Sequence, residues 1–217
     1  MAYNFDTIAD NYDRMNRLMT LGLDKCWRKR AVRGLQGKAL DVACGTGDMS
    51  LLLTERGVSV TGVDISEEML NIARQKTTSA IFQLADAEHL PFSDGEFNAV
   101  TCAFGVRNYV HLETGLSEML RVLKPGGTMV ILELATPDCA LIRPFYNFYT
   151  RRIIPWLGSR LAGSREAYTY LPQSIERFPK GEAFCSLMRS IGATVTHRKL
   201  TFGVCRMYVI NKEAARC

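Results

Sequence analysis

The sequence lacks the features that mark exported, membrane-spanning and metal-binding proteins. Its seven cysteines are scattered and contain no Cys-x-x-Cys pair, which argues against a disulfide framework or a zinc site and favours a reducing compartment. No apolar run approaches the roughly 20 residues that a membrane span needs. The polar, charge-broken start does not resemble a signal peptide. We therefore expect a cytoplasmic protein, and we predict no bound metal.

Repeats and low-complexity segments are also missing, and the composition is that of an ordinary globular protein. Hydrophobic residues make up 47% of the chain and charged residues 23%. The net charge of +5 is mild but clustered, with basic residues concentrated near positions 28–33 and 143–165. Such clusters attract nucleic acid, anionic lipid or an acidic ligand, or are simply a solvated surface.

Short apolar segments alternate with helical spacing along the first two thirds of the chain. Two helices are predicted first, over residues 5–20 and 23–35. Strands are predicted over residues 38–43, 58–63, 80–84, 97–102 and 128–134, with helices over 48–56, 66–72 and 111–123. This alternation indicates an α/β fold with a doubly wound, mainly parallel, seven-stranded sheet of the Rossmann-like type. Such sheets bind ligands at the carboxyl ends of their strands, near the point where strand order reverses.

After Pro137 the alternation stops. Residues 141–163 are predicted to be helical, aromatic and basic, residues 164–179 irregular, and residues 181–191 helical. Two last strands, over 194–200 and 204–210, are predicted to form an antiparallel pair at the sheet edge. We interpret residues 1–36 as an N-terminal helical lid and residues 137–179 as a substrate-side insertion within one domain of 217 residues.

The turn after the first predicted strand reads Asp41-Val42-Ala43-Cys44-Gly45-Thr46-Gly47. Small residues there let the backbone approach a ligand, and the amides at the start of the following helix point outward. A Gly-x-Gly turn also serves in many folds only to tighten a strand-to-helix connection. The turn therefore predicts ligand contacts at Gly45, Thr46 and Gly47 without naming the ligand.

Two carboxylates narrow the choice of cofactor. Asp64 ends the next strand, where a carboxylate accepts both ribose hydroxyls of an adenosine-bearing cofactor. A nicotinamide cofactor needs the same group, but its Gly-x-Gly-x-x-Gly pattern requires glycine at position 50, which is Ser50 here. Asp41 would repel a pyrophosphate and attract the ammonium group of S-adenosylmethionine, which carries no phosphate. S-adenosylmethionine is therefore the predicted cofactor, with Asp41 and Asp64 among its ligands.

A third cofactor contact is predicted after the strand at 80–84. Asp86 can accept a hydrogen bond from the adenine amino group while the amide of Ala87 faces the ring. Because aspartate also favours turns and helix caps, a purely local role is the alternative interpretation of Asp86.

Four stretches carry a closer resemblance: residues 12–22 (YDRMNRLMTLG) with Trp27, residues 121–127 (RVLKPGG) with Glu133, residues 168–175 (YTYLPQSI) with Phe178-Pro179, and residues 104–108 (FGVRN). On these residues the chain resembles the menaquinone and ubiquinone biosynthesis C-methyltransferases over nearly its whole length. The resemblance implies a class I methyltransferase that converts demethylmenaquinol to menaquinol, or alternatively methylates the polyprenyl benzoquinol of ubiquinone biosynthesis. It also implies that Thr46, Asp64, Asp86 and Ala87 contact the cofactor.

Carbon methylation of a quinol needs a phenolate, whose charge spreads onto the adjacent ring carbon. Arginine stays protonated and is implausible as a base, so Arg107 is predicted to stabilise the phenolate as a cationic donor. Asn108 is predicted to orient the same oxygen or a water, and Tyr12 to close over the site. A surface ion pair for Arg107 and core packing for Tyr12 are the alternatives. The histidines are alternative bases: His89, His111 and His197.

The aromatic and basic segment 141–161 is a candidate path for the tail of a prenylated quinol, or a surface that rests on lipid. Internal packing is the alternative. Peripheral membrane contact and a homodimer are therefore hypotheses for this chain.

Three other classes of function compete. A nicotinamide oxidoreductase is disfavoured by Ser50 and by the missing Tyr-x-x-x-Lys relay. A nucleic-acid methyltransferase that acts on a base amino group would carry Asn/Asp-Pro-Pro-Tyr/Phe after the fourth strand, where this chain has AFGVR at residues 103–107, so no nucleic-acid partner is predicted. A binding-only module leaves Arg107 and Asn108 without a purpose.

Overall fold

The computed structural model describes residues 9–156 and 165–213. Two helices, α1 (Ala9–Met19) and α2 (Leu23–Ala31), precede the sheet. The alternating part follows as β1 (Lys38–Val42), α3 (Asp48–Thr54), β2 (Ser59–Asp64), α4 (Glu67–Lys76), β3 (Ala80–Leu84), β4 (Phe97–Ala103), a 3₁₀ turn (Val106–Asn108), α5 (Leu112–Val122) and β5 (Leu123–Leu134). The rest comprises α6 (Arg143–Phe148), a π-helical turn (Tyr149–Ile153), α7 (Arg165–Arg177), α8 (Glu182–Ser190), β6 (Ala193–Leu200), a 3₁₀ turn (Thr201–Gly203) and β7 (Cys205–Lys212).

The seven strands form one sheet in the order β3-β2-β1-β4-β5-β7-β6. Strands β1 to β5 pair in parallel, and β7 runs antiparallel to both β5 and β6. The predicted doubly wound, mainly parallel, seven-stranded sheet is confirmed, as is the antiparallel pair at its edge. Strand order reverses between β1 and β4, so the connections leave these two strands in opposite directions and open a crevice at their carboxyl ends.

Helices cover both faces of the sheet, which explains why its central strands are almost continuously apolar. In β1, Ala39, Leu40 and Val42 are all fully buried. One face packs against α5 and α8, and the other against α2 and α3. Trp27 of α2 is 3% exposed, so this helix of the predicted lid region belongs to the core layer. The lid interpretation therefore applies to α1, and the domain boundaries stay a prediction.

Two secondary-structure predictions were wrong. Residues 164–179 were expected to be irregular, yet α7 spans Arg165–Arg177 with Pro172 inside it. The helical signal was present, since Leu171, Ile175 and Phe178 recur at helical spacing and are buried. Strand β5 begins at Leu123 and not at Thr128, because the Pro-Gly-Gly segment forms an irregularity inside the strand, where its register with β4 shifts.

In the insertion at 137–179, every described residue after 142 and up to Arg177 is helical. Residues 157–164, which include the end of the helix predicted over 141–163, lie outside the described part. It packs on α1 through a cluster that contains Met15, Ile154, Leu171 and Ile175. Across the described residues, no helix is both long and apolar enough to cross a bilayer.

Candidate active site

The turn after β1 is fastened to the end of β2 by the carboxylate of Asp64. Asp64 Oδ2 accepts a hydrogen bond of 2.8 Å from the amide of Gly45, and Oδ1 accepts one of 3.0 Å from the amide of Ser66. Gly47 has φ of 79°, and a Cβ on it would lie 2.9 Å from that of Ala73 in α4. Glycine at this position therefore allows α3 to start close against α4.

A cavity of about 400 Å³ opens at the carboxyl ends of β1, β2, β3 and β4. Its volume suits a ligand of the size of adenosylmethionine. Two of the three predicted carboxylates, Asp64 and Asp86, line it, with Ala87 beside them. The other lining residues that matter below are Tyr12, Ala43, Gly45, Glu88, Ala103, Asn108 and His111. The cavity therefore brings together the side chains that the sequence predicted for the ribose and the adenine of one ligand.

Asp41 faces a smaller niche of about 20 Å³ that shares Tyr12, Ala43 and Gly45 with the main cavity. A niche of that volume holds about one water or a compact polar group. The buried Asp41 carboxylate accepts hydrogen bonds of 2.6 Å from Ser50 and 2.8 Å from Thr101. Burial raises the pKa of Asp41 from 3.8 to about 6, although both hydroxyls favour the charged form. Ser50, which excluded the dinucleotide pattern, is thus one of the groups that hold this carboxylate.

Thr46 points toward the N-terminal helix. Its hydroxyl donates a hydrogen bond of 2.5 Å to Asp13 of α1 and accepts one of 2.9 Å from Lys76. Lys76 also forms ion pairs with Asp13 and, at 2.7 Å, with Asp48. This Lys76 cluster (Asp13, Thr46, Asp48, Lys76) ties α1 to the cofactor turn and to α4. It was not predicted, because its members are far apart in sequence and follow no periodic pattern.

Glu88 and His111 form a second pair that sequence reasoning missed. The Nδ1 atom of His111 lies 2.8 Å from Glu88 Oε2, and the His111 amide donates to Oε1 at 2.8 Å. Although burial opposes it, these hydrogen bonds lower the pKa of Glu88. An ionised carboxylate only accepts, so Nδ1 of His111 is the donor in this contact. The only available signal was an acidic residue two positions after Asp86.

Arg107 is held in place by a buried ion pair. Its Nη1 atom donates to Glu133 Oε1 at 2.7 Å and to the carbonyl of Phe104, and the two charged side chains are 7% and 1% exposed. Its charge counteracts the burial that raises the pKa values of Tyr12 and Tyr146. The surface ion-pair alternative for Arg107 is therefore wrong.

Asn108 belongs to the main cavity and to a second cavity of about 340 Å³. The two cavities share the segment Asn108, Tyr109 and Val110. Arg107 lines only the second one, together with residues from the end of α7 that include Arg177 and Phe178. The two residues that the sequence predicted after β4 therefore differ in their surroundings: Asn108 lines both cavities, whereas Arg107 lines the second one.

The predicted site residues thus divide into four sets. Tyr12, Gly45, Asp64, Asp86, Ala87 and Asn108 line the main cavity. Asp41 and Thr46 line the adjoining niche, and Arg107 the second cavity. Gly47 packs against α4. Of the alternative bases, His89 and His111 line the main cavity, whereas His197 lies on β6 beside Cys185.

In sequence and in fold, the chain is similar to known methyltransferases. A model of the ubiE/COQ5 methyltransferase family matches residues 2–212. A demethylmenaquinone methyltransferase of Thermus thermophilus is 44% identical, over 94% of this chain and 98% of its own. A ubiquinone/menaquinone biosynthesis C-methyltransferase UbiE of Geobacter sulfurreducens is also 44% identical, over 96% of this chain and 86% of its own. A solved SAM-dependent methyltransferase of Thermotoga maritima superposes with a TM-score of 0.68 at 19% identity, over 96% and 98% of the two chains.

Proposed function

The chain belongs to the ubiE/COQ5 methyltransferase family, and we propose that it methylates a ring carbon of demethylmenaquinol. The predicted family, fold class, S-adenosylmethionine-dependent methyltransferase activity and cofactor are confirmed. The acceptor is the proposal, and two supports carry it. Relatives with 41–44% identity bear the names of quinone methyltransferases. In addition, a buried cation, Arg107, lines the second cavity beside Asn108, which belongs to both cavities.

S-adenosylmethionine, when bound, supplies the methyl group. The residues present fit it: Asp64 would accept from the ribose hydroxyls, and Asp86 with the Ala87 amide would hold the adenine. Asp41, in its niche, would face the ammonium group, directly or through one water. Gly45 gives the backbone close access. Thr46 would act through the Lys76 cluster, which holds α1 and Tyr12 over the main cavity.

We propose that the quinol ring enters the second cavity and reaches the cofactor past Asn108. Arg107 would stabilise the phenolate oxygen, while Asn108 orients that oxygen or a water between them. A phenol has a pKa near 10, so a fixed cation beside it favours loss of its proton at neutral pH. Glu133 would hold the guanidinium in position before the substrate arrives, so that little reorganisation accompanies the reaction.

His111 is better suited to the cofactor than to the quinol. Its partner Glu88 follows Asp86 and Ala87 directly, so the pair lies beside the proposed adenine subsite. We therefore propose His111 as a contact at the adenine end, and we assign the quinol proton to solvent through the water held by Asn108.

Purified protein incubated with methyl-labelled S-adenosylmethionine and reduced quinones tests the acceptor. We expect label on demethylmenaquinol, less on a prenyl benzoquinol of equal tail length, and none on the oxidised naphthoquinone, which has no phenolate to form. Preference for the benzoquinol would move the chain to the alternative ring. Cofactor binding without label on any quinol would contradict the proposed acceptor while leaving the methyltransferase class intact.

The insertion also supports peripheral contact with a membrane. Leu141, Phe145 and Phe148 are spaced at one helical turn and are 81%, 78% and 62% exposed. Two exposed arginines, Arg151 and Arg152, follow in the adjoining π-helical turn. Aromatic side chains flanked by cations suit the interface of an anionic bilayer, where a prenylated quinol resides.

Flotation with anionic vesicles tests the membrane proposal. The double substitution F145S/F148S should reduce the floated fraction, because each exposed phenylalanine contributes about 1.5–3 kcal/mol when it is buried in an apolar phase. F202S provides a control of the same residue type, since Phe202 is 73% exposed at the β6–β7 turn, outside the insertion. Equal flotation of all three proteins would contradict this surface as the site of contact. The homodimer hypothesis stays a prediction.

A further inference from the structure

A cluster of potential metal ligands lies where α8 packs on the edge strand β6, away from the cavities described above. Glu182 and Cys185 are one turn apart on α8, and His197 stands on β6. One ligand atom from each lies within 4.8 Å of the other two. The sequence argued against a zinc site because no Cys-x-x-Cys pair exists, but here the fold supplies the third ligand from another element.

The spacing of the sulfur and nitrogen atoms suits zinc. Cys185 Sγ lies 3.5 Å from His197 Nδ1. With Zn–S near 2.3 Å and Zn–N near 2.0–2.1 Å, a tetrahedral angle separates the two ligand atoms by about 3.5–3.6 Å. These two atoms are therefore already at the distance that one zinc ion would impose on them.

Two of the three ligands are fixed by their surroundings. Cys185 is 1% exposed, and the ring of His197 packs on that of Tyr208 with centroids 5.8 Å apart. Tyr208 is held in turn by a hydrogen bond of 2.8 Å from the Gly181 amide to its hydroxyl. An arrangement that is set before the ion arrives loses little conformational freedom on binding.

Glu182 is the ligand that must move. Its exposed carboxylate pairs with Arg189 at 2.5 Å, and an exposed pair of this kind contributes little to stability. The carboxylate can therefore turn from Arg189 to an ion without a large loss.

Two cations near His197 are partly offset by a shared carboxylate. Arg206 and Lys199 both pair with Asp138, at 2.6 and 2.7 Å. A thiolate and a carboxylate would together neutralise the two charges of the ion.

We propose that Glu182, Cys185 and His197 bind one Zn²⁺, with water as the fourth ligand. The ion replaces the thiol proton of Cys185, which leaves to solvent. The bound ion cross-links α8 to β6 at the end of the sheet opposite β1 and β2. Zinc binding should therefore stabilise this edge and leave cofactor affinity unchanged, and this inference does not depend on the identity of the methyl acceptor.

Calorimetric titration of the apo-protein with zinc chloride tests the site. We expect one zinc per chain and a higher melting temperature in its presence. Loss of an outer partner of a metal ligand costs about 10–100-fold in affinity, so loss of a ligand in C185S should cost more. H197F keeps a ring against Tyr208 and should lose zinc to a similar extent, whereas E182Q should weaken binding less. C26S and C139S remove exposed cysteines outside the cluster and should bind zinc normally.

Cobalt substitution gives an independent readout. Co²⁺ bound by Cys185 should produce a thiolate charge-transfer band in the near ultraviolet, present in C139S and absent in C185S. Comparison of melting temperatures without metal shows whether C185S is folded. A folded wild-type protein that takes up no zinc would overturn the proposal. Uptake that survives in both C185S and H197F would do the same.

Discussion

Asp41→Asn should make the protein more stable at neutral pH and impair its binding of S-adenosylmethionine. In the wild type, burial raises the pKa of Asp41 from 3.8 to about 6. That rise corresponds to about 3 kcal/mol of free energy by which the folded state disfavours the ionised carboxylate. Asparagine removes this charge while keeping the shape of the side chain.

The net gain should be smaller than this upper value. Ser50 and Thr101 both donate to the carboxylate, whereas asparagine offers one oxygen acceptor and an amide group that needs an acceptor of its own. One hydroxyl can rotate to accept from the amide, at the expense of one charge-assisted hydrogen bond. We therefore expect Asp41→Asn to raise the free energy of unfolding by about 1–2 kcal/mol at pH 7.5.

The pH dependence has a defined sign. Because the folded pKa of Asp41 lies above its unfolded value, this group contributes stability that is present below pH 3.8 and lost as the pH rises through about 6. The advantage of Asp41→Asn over the wild type should therefore shrink as the pH falls from 7.5 to 4. Urea denaturation of both proteins at each pH measures the difference, in which other titrating groups cancel.

Asp48→Asn is the matched control. Although burial opposes it, the hydrogen bond and charge of Lys76 lower the pKa of Asp48. Its charge therefore contributes stability that is present above the unfolded pKa and lost as the pH falls through the folded pKa. Asp48→Asn should thus destabilise the protein at pH 7.5, opposite to Asp41→Asn.

The affinity for S-adenosylmethionine tests the predicted functional role of Asp41 separately from its effect on stability. A hydrogen bond to a charged group is worth about 1.5–3 kcal/mol, so Asp41→Asn should weaken S-adenosylmethionine about tenfold to a hundredfold. A variant that is less stable than the wild type at every pH would refute the electrostatic reasoning. Unchanged cofactor affinity would refute the ammonium assignment.

Three further outcomes follow from the site. Asp64→Ala should weaken cofactor binding about a hundredfold or more by calorimetry, because two ribose hydrogen bonds are lost; wild-type affinity would remove the ribose assignment. Glu133→Gln should lower the free energy of unfolding by about 3–5 kcal/mol, because Arg107 is left buried without its counter-charge; in urea denaturation, a cost no larger than that of Glu176→Gln, which disrupts the exposed pair between Glu176 and Arg151, would contradict this. Lys76→Met should speed amide exchange in α1 but not in β5, since the Lys76 cluster holds that helix; equal exchange in both proteins would show that the cluster is dispensable.

The sequence could predict the positions of the carboxylates proposed for the cofactor because the fold leaves little freedom in where they lie. Asp64 and Asp86 follow neighbouring parallel strands, and the carboxyl ends of such strands meet at one edge of the sheet. Periodicity locates these strands, so their end residues converge without further information. Arg107 was predicted on the same ground, and the structure adds the buried Glu133 that holds it.

Contacts between single side chains on separate helices or loops could not be predicted in this way. Lys76 and Asp13 are separated by 63 positions, and their contact depends on how α1 crosses α4. Glu88 and His111, 23 positions apart, meet because two loops close over the same cavity. Neither pair leaves a periodic pattern, since each residue is a single charged or polar side chain in a loop or on a helix surface.

Two residues with a strained backbone lie at the point where the strand order reverses. Ala43 and Phe104 follow β1 and β4 directly, and both have positive φ, of 51° and 65°. A non-glycine residue in that region costs about 1–3 kcal/mol, which the surroundings must offset. Phe104 is held by the edge of Trp27 and by the guanidinium of Arg28, whose carbon lies 5.0 Å from the ring centroid.

The turns after β1 and β4 contact each other, which explains why Ala43 and Gly105 are small. A Cβ on Gly105 would lie 2.7 Å from the Cβ of Ala43, so neither position has room for a larger side chain. The close contact brings the ends of β1 and β4 together beneath the main cavity, with Asp41 on one side and Asn108 on the other. Helix α2 supports this contact through Trp27 and Arg28, and the sheet core in turn buries Trp27. The strained backbone at the site is therefore sustained by the packing of α2, which lies outside the site.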